Sequence, residues 1–350
     1  MLPRRAMLML GAAAALSGCG GPWLPTEDAA GTRTPLDGCA PTTGGGRVLC
    51  GDPDSAWPSS YVFHGRIAVA QDGRVAAGHS GRVAVWDPAG RLLSVGGAVD
   101  GYGGLAWAGD WLAAARCDGS VDLIDPGCGL STLTLTPGRA FSPGLAGSQE
   151  GRVYASTLDV VSCWDAATGE HLVSRQLQEA LVWGCVPAGL LISQDWSPLL
   201  LDPVTLETVW TAAPSDETGS ERRHAWAASA DASALVGVSH GAVPLLRIDG
   251  VAREAGALGS DGAVPAVSAD GGTFSWVSVN DGVWLADRTG GTVPLPRPTS
   301  EAGGIPPRKF ASLAFSPDGG TLYALGFTGV ARWDVRTHEY LGALESPPSA

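Results

Sequence analysis

The sequence predicts an all-β fold, a seven-bladed β-propeller of four-stranded antiparallel blades, from three observations. A run rich in β-branched residues ends in an aspartate seven times, at Asp87, Asp125, Asp165, Asp202, Asp249, Asp287 and Asp334. The spacings are 38, 40, 37, 47, 38 and 47 residues, and a period of about forty with a Trp-Asp or apolar-Asp ending belongs to a propeller blade. Composition agrees: 50 glycines, 25 prolines and only 16% charged residues suit short strands and tight turns, not helical bundles.

Taken from the N-terminus, residues 1–18 read as a signal peptide. Arg4 and Arg5 form a basic start, and Ala6 to Leu16 is an apolar run too short to span a bilayer comfortably. Leu16-Ser17-Gly18-Cys19 then resembles the lipobox of bacterial lipoproteins. The resemblance implies cleavage before Cys19 and its acylation, so the chain is expected in the cell envelope, exported and held to the membrane by its N-terminal lipid. Residues 19–60 are rich in Gly, Pro, Thr and Asp with little periodicity and read as a flexible tether. Residues 61–346 hold the seven repeats.

The last repeat is the clearest. Ala311–Phe315 reads as strand a, Leu322–Gly326 as b, Val330–Val335 as c and Tyr340–Leu344 as d. Its a–b turn, Ser316-Pro317-Asp318-Gly319-Gly320, recurs as Ser268-Ala269-Asp270-Gly271-Gly272 and, degraded, as Ser229-Ala230-Asp231-Ala232-Ser233. Asp-Gly between alternating apolar runs predicts a hairpin because glycine accepts the positive φ required. Cys117 to Asp125 resembles the b–c turn and strand c of WD-repeat β-propellers, and the resemblance covers the repeat region. The Gly-His dipeptide that family carries before strand a is absent; Gly78-His79 falls in a b–c turn instead. Trp164-Asp165-Ala166-Ala167-Thr168-Gly169, and Asp202-Pro203-Val204-Thr205 with Trp210, are similar to the Asp-x-x-Thr-Gly repeats of pyrroloquinoline-quinone-type propellers. In both families the physics is shared: Asp and Thr cap a tight c–d turn, and an aromatic side chain packs between blades. Lipoproteins of the second kind that assist outer-membrane assembly carry the repeat and no cofactor, and none is expected here.

With Cys19 committed to lipid, six cysteines remain, an even number that suggests disulfides in an exported chain. Cys39 and Cys50 flank a Gly-rich loop and are expected to pair. The partners of Cys117, Cys128, Cys163 and Cys185 stay open.

Several chemistries find no support. A formal charge of −13 argues against nucleic acid as partner. Gly237-Val238-Ser239-His240-Gly241 matches G-x-S-x-G, but it lies between two strands without the helix that exposes such a serine. The six histidines show no H-x-x-x-H spacing, and no metal site is expected.

Trp86, Trp164 and Trp333 on strand c, and Trp107, Trp183 and Trp226 on strand a, recur at equivalent places and read as inter-blade core. Trp196 differs: it falls in a b–c turn, where a large ring faces solvent and can anchor a partner. Both 47-residue spacings come from long d–a connectors, Ala212–Arg223 and Pro294–Lys309. These gather Arg222, Arg223, Arg297, Arg308 and Lys309 at one end of an otherwise acidic protein, the end where insertions commonly bind. The expected function is a non-catalytic protein-interaction platform with an unidentified protein partner bound through Trp196 and these basic residues. The alternatives are an outer-membrane assembly scaffold and an enzyme at the mouth of the channel. Perturbed carboxylates or a histidine pair at that mouth would favour the enzyme; a rim of aromatic and arginine residues would favour binding.

Overall fold

The computed structural model describes residues 32–35, 47–48, 66–79, 82–97, 102–116, 120–126, 131–135, 144–157, 159–194, 197–211, 225–238, 245–249, 251–254, 262–278, 282–296, 310–326 and 329–344. Seven antiparallel sheets follow one another along the chain, each ordered a-b-c-d, and no helix occurs among the described residues. Blade 1 comprises Arg66–Val69, Val75–His79, Arg82–Trp86 and Leu92–Gly97, and blade 2 Tyr102–Ala108, Trp111–Arg116, Val121–Ile124 and Ser131–Leu135. Blade 3 comprises Gly144–Gly147, Arg152–Ser156, Val160–Asp165 and His171–Gln176, and blade 4 Leu181–Val186, Gly189–Gln194, Ser197–Leu201 and Thr208–Thr211. Blade 5 follows as Ala225–Ala228, Ala234–Val238, Leu245–Ile248 and Val251–Glu254, and blade 6 as Gly262–Val267, Thr273–Ser278, Gly282–Asp287 and Thr292–Pro294. Blade 7 is Phe310–Phe315, Thr321–Gly326, Gly329–Asp334 and Tyr340–Ala343. Each strand a lies against strand a of the next blade, and that of blade 7 lies against that of blade 1. The ring is closed, and the predicted seven-bladed propeller is the fold.

Two short stretches of the segment read as a tether are strands. Thr32–Pro35 pairs antiparallel with strand d of blade 2, and Arg47–Val48 pairs parallel with strand d of blade 1. Each adds a fifth strand to an outer edge that would otherwise leave main-chain groups unpaired.

The core lies between blades, as the recurrence of tryptophan predicts. Trp86, at the end of strand c in blade 1, is buried among Tyr323, Leu325 and Val330 of blade 7. Trp164 of blade 3 packs on Ala106, Ala113 and Leu123 of blade 2. Trp333 of blade 7 packs among Val277 and Leu285 of blade 6, with its indole N–H donated to the Pro296 carbonyl at 2.9 Å. Each ring reaches back to the preceding blade, so the repeats bury their apolar faces only by stacking.

Five of the aspartates that set the period, Asp87, Asp165, Asp202, Asp287 and Asp334, cap their c–d turns. Asp165 Oδ1 accepts the amides of Ala167 and Thr168 at 3.0 and 2.8 Å and the Thr168 hydroxyl at 2.9 Å. Asp202 does the same with Val204 and Thr205. These donors hold both carboxyls below the ordinary carboxylate range, the Thr168 and Thr205 amides being the largest cause.

Candidate functional site

The a–b turns decide the shape of one end of the channel. In blades 5, 6 and 7 a serine hydroxyl donates to the aspartate two residues on, at 2.8, 2.6 and 2.5 Å for Ser229–Asp231, Ser268–Asp270 and Ser316–Asp318. The carboxylate then accepts an amide across the turn, and the serine oxygen accepts the amide that opens strand b. Gly271 and Gly319 take the left-handed φ of 65° and 71° foreseen for them, and Ala232 is forced to 56° in the degraded copy.

Neighbouring turns are stitched by main-chain bonds. The Ala188 amide donates to Ala230, the Ala230 amide to Ala269, and the Gly109 amide to Ser148. That joins blades 4, 5 and 6, and separately blades 2 and 3. Among the described residues these are the inter-blade turn bonds, and a cavity of about 980 Å³ opens at the mouth over blades 1 to 4. It is lined by the a–b turns of blades 1 to 4 and by Pro203 and Val204 of the blade 4 c–d turn.

Strand a of blade 3 is pinched between its neighbours beside this opening. A Cβ on Gly147 would lie 2.1 Å from the Trp107 carbonyl oxygen, and one on Gly144 would lie 2.4 Å from that of Val182. Only glycine permits that approach of backbone to backbone.

The rim combines cations with aromatic rings. The Arg74 guanidinium lies 4.7 Å over the Trp107 ring, a cation–π geometry. It is also held by Asp72 at 2.6 Å and by Asp110 at 3.2 Å. Trp107 anchors itself by donating its indole N–H to the Ala68 carbonyl at 3.2 Å. Gln149 donates to Gln71 at 3.1 Å, linking blade 3 to blade 1 across blade 2. Arg152 and Tyr154, on strand b of blade 3, both donate to the Pro203 carbonyl, at 3.1 and 2.8 Å.

Behind Tyr154 stand two thiols. Burial, and then the nearby Cys185 and Cys163, push the Tyr154 phenol well above its usual range. Burial pushes Cys163 up to about 11 and, reinforced by Glu150, Cys185 up to about 12. Cys163 and Cys185 are free. This corrects the expectation of disulfides for these two residues: Cys163 is sealed in the contact between blades 3 and 4, and Cys185 faces the cavity. Cys117, Cys128 and the expected pair Cys39–Cys50 lie outside the described residues.

Cys19, Trp196, Arg222, Arg223, Arg297, Arg308 and Lys309 also lie outside the described residues. Of the G-x-S-x-G match, Gly237 lies on strand b of blade 5 against the Trp226 ring, and Ser239 is outside the described residues. Among the described residues no three His, Cys, Asp or Glu side chains group to hold a metal ion.

Sequence reasoning passed over Arg74, Trp107, Arg152, Tyr154 and Cys185 as site residues. A signal was present: Asp72-Gly73-Arg74 and Glu150-Gly151-Arg152 put arginine where blades 6 and 7 have a second glycine. No protein-family model matches the chain, and no curated protein is similar to it at a significant level.

Proposed function

We propose that this chain is an exported, lipid-anchored, WD-repeat-like propeller that serves as a non-catalytic platform for protein partners. The observation that carries the reading is the rim at the a–b mouth, where Arg74 lies on Trp107 and Arg152 stands beside Tyr154. The two rings are themselves buried, Trp107 at 8% and Tyr154 at 0% exposure, so what they offer a partner is two guanidinium groups held in fixed positions at the mouth. Cys185 and Tyr154 at this mouth are shifted upward and stay neutral near pH 7, against the need of a thiolate or phenolate nucleophile. The lipobox-like Leu16-Ser17-Gly18-Cys19 supports anchoring. The a–b rim is one candidate contact face; the set expected from the sequence, Trp196 with Arg222, Arg223, Arg297, Arg308 and Lys309, is a separate candidate face.

Two measurements test it. Cys19→Ser should leave the chain unprocessed or shift it out of the detergent phase; unchanged processing and partitioning would remove the anchor from the reading. Cross-linked capture from envelope fractions should then yield a partner that is released either by Arg74→Ala, if it binds the a–b rim, or by Trp196→Ala and the double change Arg222→Ala, Arg223→Ala, if it binds the expected contact set. A partner set indifferent to those variants, or turnover of a substrate at the mouth, would overturn the platform reading.

A second reading, an outer-membrane assembly scaffold, is favoured by the Asp-x-x-Thr turns. Asp165, Asp202 and Asp334 each accept the amide three residues on, at 2.8, 2.8 and 2.7 Å. Co-purification with barrel-assembly components would select it.

A further inference from the structure

The slot that Trp333 fills in blade 7 holds an arginine in blade 5. Register between strands b and c identifies it: Leu322 pairs with Trp333, Val75 with Trp86 and Val153 with Trp164. In blades 2, 4 and 6 the same place is taken by Ile124, Leu201 and Ala286. In blade 5 the Ser229 amide donates to the Ala234 carbonyl as the Ser316 amide does to that of Thr321, so Leu235 stands where Leu322 does. Leu235 pairs with Arg247, one residue before the Ile248-Asp249 that the repeat spacing selects. Register partners, and residues two apart on a strand, share a face. Arg247 therefore points with Leu235 and Leu245 toward Leu191 and Leu200 of blade 4, in a contact that also holds Trp226 and Trp210.

A guanidinium stays charged in a protein interior, and a buried charge is tolerated only when it is paired. Arg247 is 6% exposed, and its Nε has no hydrogen-bond partner. None of the ion pairs among the described residues involves it. In the matching slot of blade 7 the Trp333 indole N–H has the Pro296 carbonyl as its acceptor. Arginine brings a full charge and more donors to walls that are largely hydrocarbon. Trp210, on the outer strand of blade 4, is only partly buried, so this contact reaches solvent at its outer side. We propose that the contact between blades 4 and 5 binds one small monovalent inorganic anion, chloride in size, on the Arg247 guanidinium. An oxyanion would carry several directional acceptors into these walls and leave some unpaired, whereas a halide presents its charge without direction. The anion binds the folded chain and not the unfolded one, so it stabilises the ring by mass action. The site uses neither Cys19 nor the rim of the mouth, and its test stands whether or not a partner is captured.

The test is thermal unfolding of the purified chain as sodium chloride replaces sodium gluconate at constant ionic strength, with chlorine NMR line widths as the direct reading of binding. Melting temperature should rise saturably, by about 2 °C or more once chloride exceeds its Kd about tenfold. Bromide should act alike, and the chloride signal should broaden. Arg247→Met makes the slot apolar, as it is in the other blades, and should fold and lose both responses. Arg247→Lys keeps the charge and should retain a weakened response, while Arg74→Gln at the mouth should leave both unchanged. A wild-type melting temperature indifferent to chloride would overturn the proposal. So would broadening that persists in Arg247→Met, or acetate that stabilises as well as chloride.

Discussion

Ile67 and Ser312 stand 245 residues apart in the chain, yet the Ile67 amide donates to Ser312 Oγ at 3.2 Å inside the protein. This bond joins strand a of blade 1 to strand a of blade 7, so no strand is shared between first and last blades and closure rests on face-to-face contact. Ser312→Ala would leave a buried amide without an acceptor, and a loss of about 1–3 kcal/mol is expected in urea unfolding. A change within experimental error would mean the closure contact does not depend on this bond.

Removing blade 7 should be far more damaging. A chain ending at Lys309 strips the cover from Trp86 and Ile67 of blade 1 and from Val277 and Leu285 of blade 6. Two apolar blade faces are then exposed at once, and aggregated or protease-sensitive product is expected. A soluble, protease-resistant fragment would contradict closure.

Three glycines on neighbouring strands a should respond differently to a methyl group. At Gly147 and Gly144 the new Cβ meets backbone at 2.1 and 2.4 Å, so Gly147→Ala and Gly144→Ala should each cost about 2–3 kcal/mol. At Gly184 nothing lies within 4 Å, and Gly184→Ala should stay within about 0.5 kcal/mol. Equal effects in chemical denaturation would refute the pinch beside the mouth.

Acid should unfold the protein through its turn caps. Hydrogen bonds lower the carboxyls of Asp165, Asp202 and Asp334, chiefly from threonine amides, and those of Asp270 and Asp318, chiefly from serine hydroxyls. With folded values below unfolded ones, their contribution is complete above the unfolded value of about 4 and is lost as pH falls through the folded values. Melting temperature should hold down to about pH 5 and then drop. Asp165→Ala should cost about 1 kcal/mol at neutral pH, and Asp165→Asn should flatten the acid limb.

The two thiols should be sluggish. With Cys163 near 11 and Cys185 near 12, against an ordinary 9.0, little thiolate forms at neutral pH. Modification of native protein should accelerate about tenfold per pH unit through pH 10 without levelling off. Because folded values exceed unfolded ones, the stability tied to the neutral thiols is full below pH 9 and lost as pH climbs past the folded values. A plateau near pH 9 for Cys185 would show the thiol to be solvated.

Much of this molecule is local in origin and was therefore readable along the chain. The caps at Asp165 and Asp202 bind amides two and three residues away. The Ser-x-Asp-Gly turns close on themselves within five residues. Tryptophan at the end of strand c recurs in blades 1, 3 and 7, where it plugs the contact with the blade before. From these the all-β class, the blade count and the strand order follow. The cavity had no such trace. Gln71 and Gln149 meet across 78 residues, and Tyr154 reaches the Pro203 carbonyl across 49. Cys163 and Cys185 share a tyrosine rather than a disulfide. The sequence by itself determined the propeller, because its rules act within a repeat. Only the tertiary structure decided where the mouth opens, which side chains line it and which thiols stay free, because those depend on how four neighbouring blades meet.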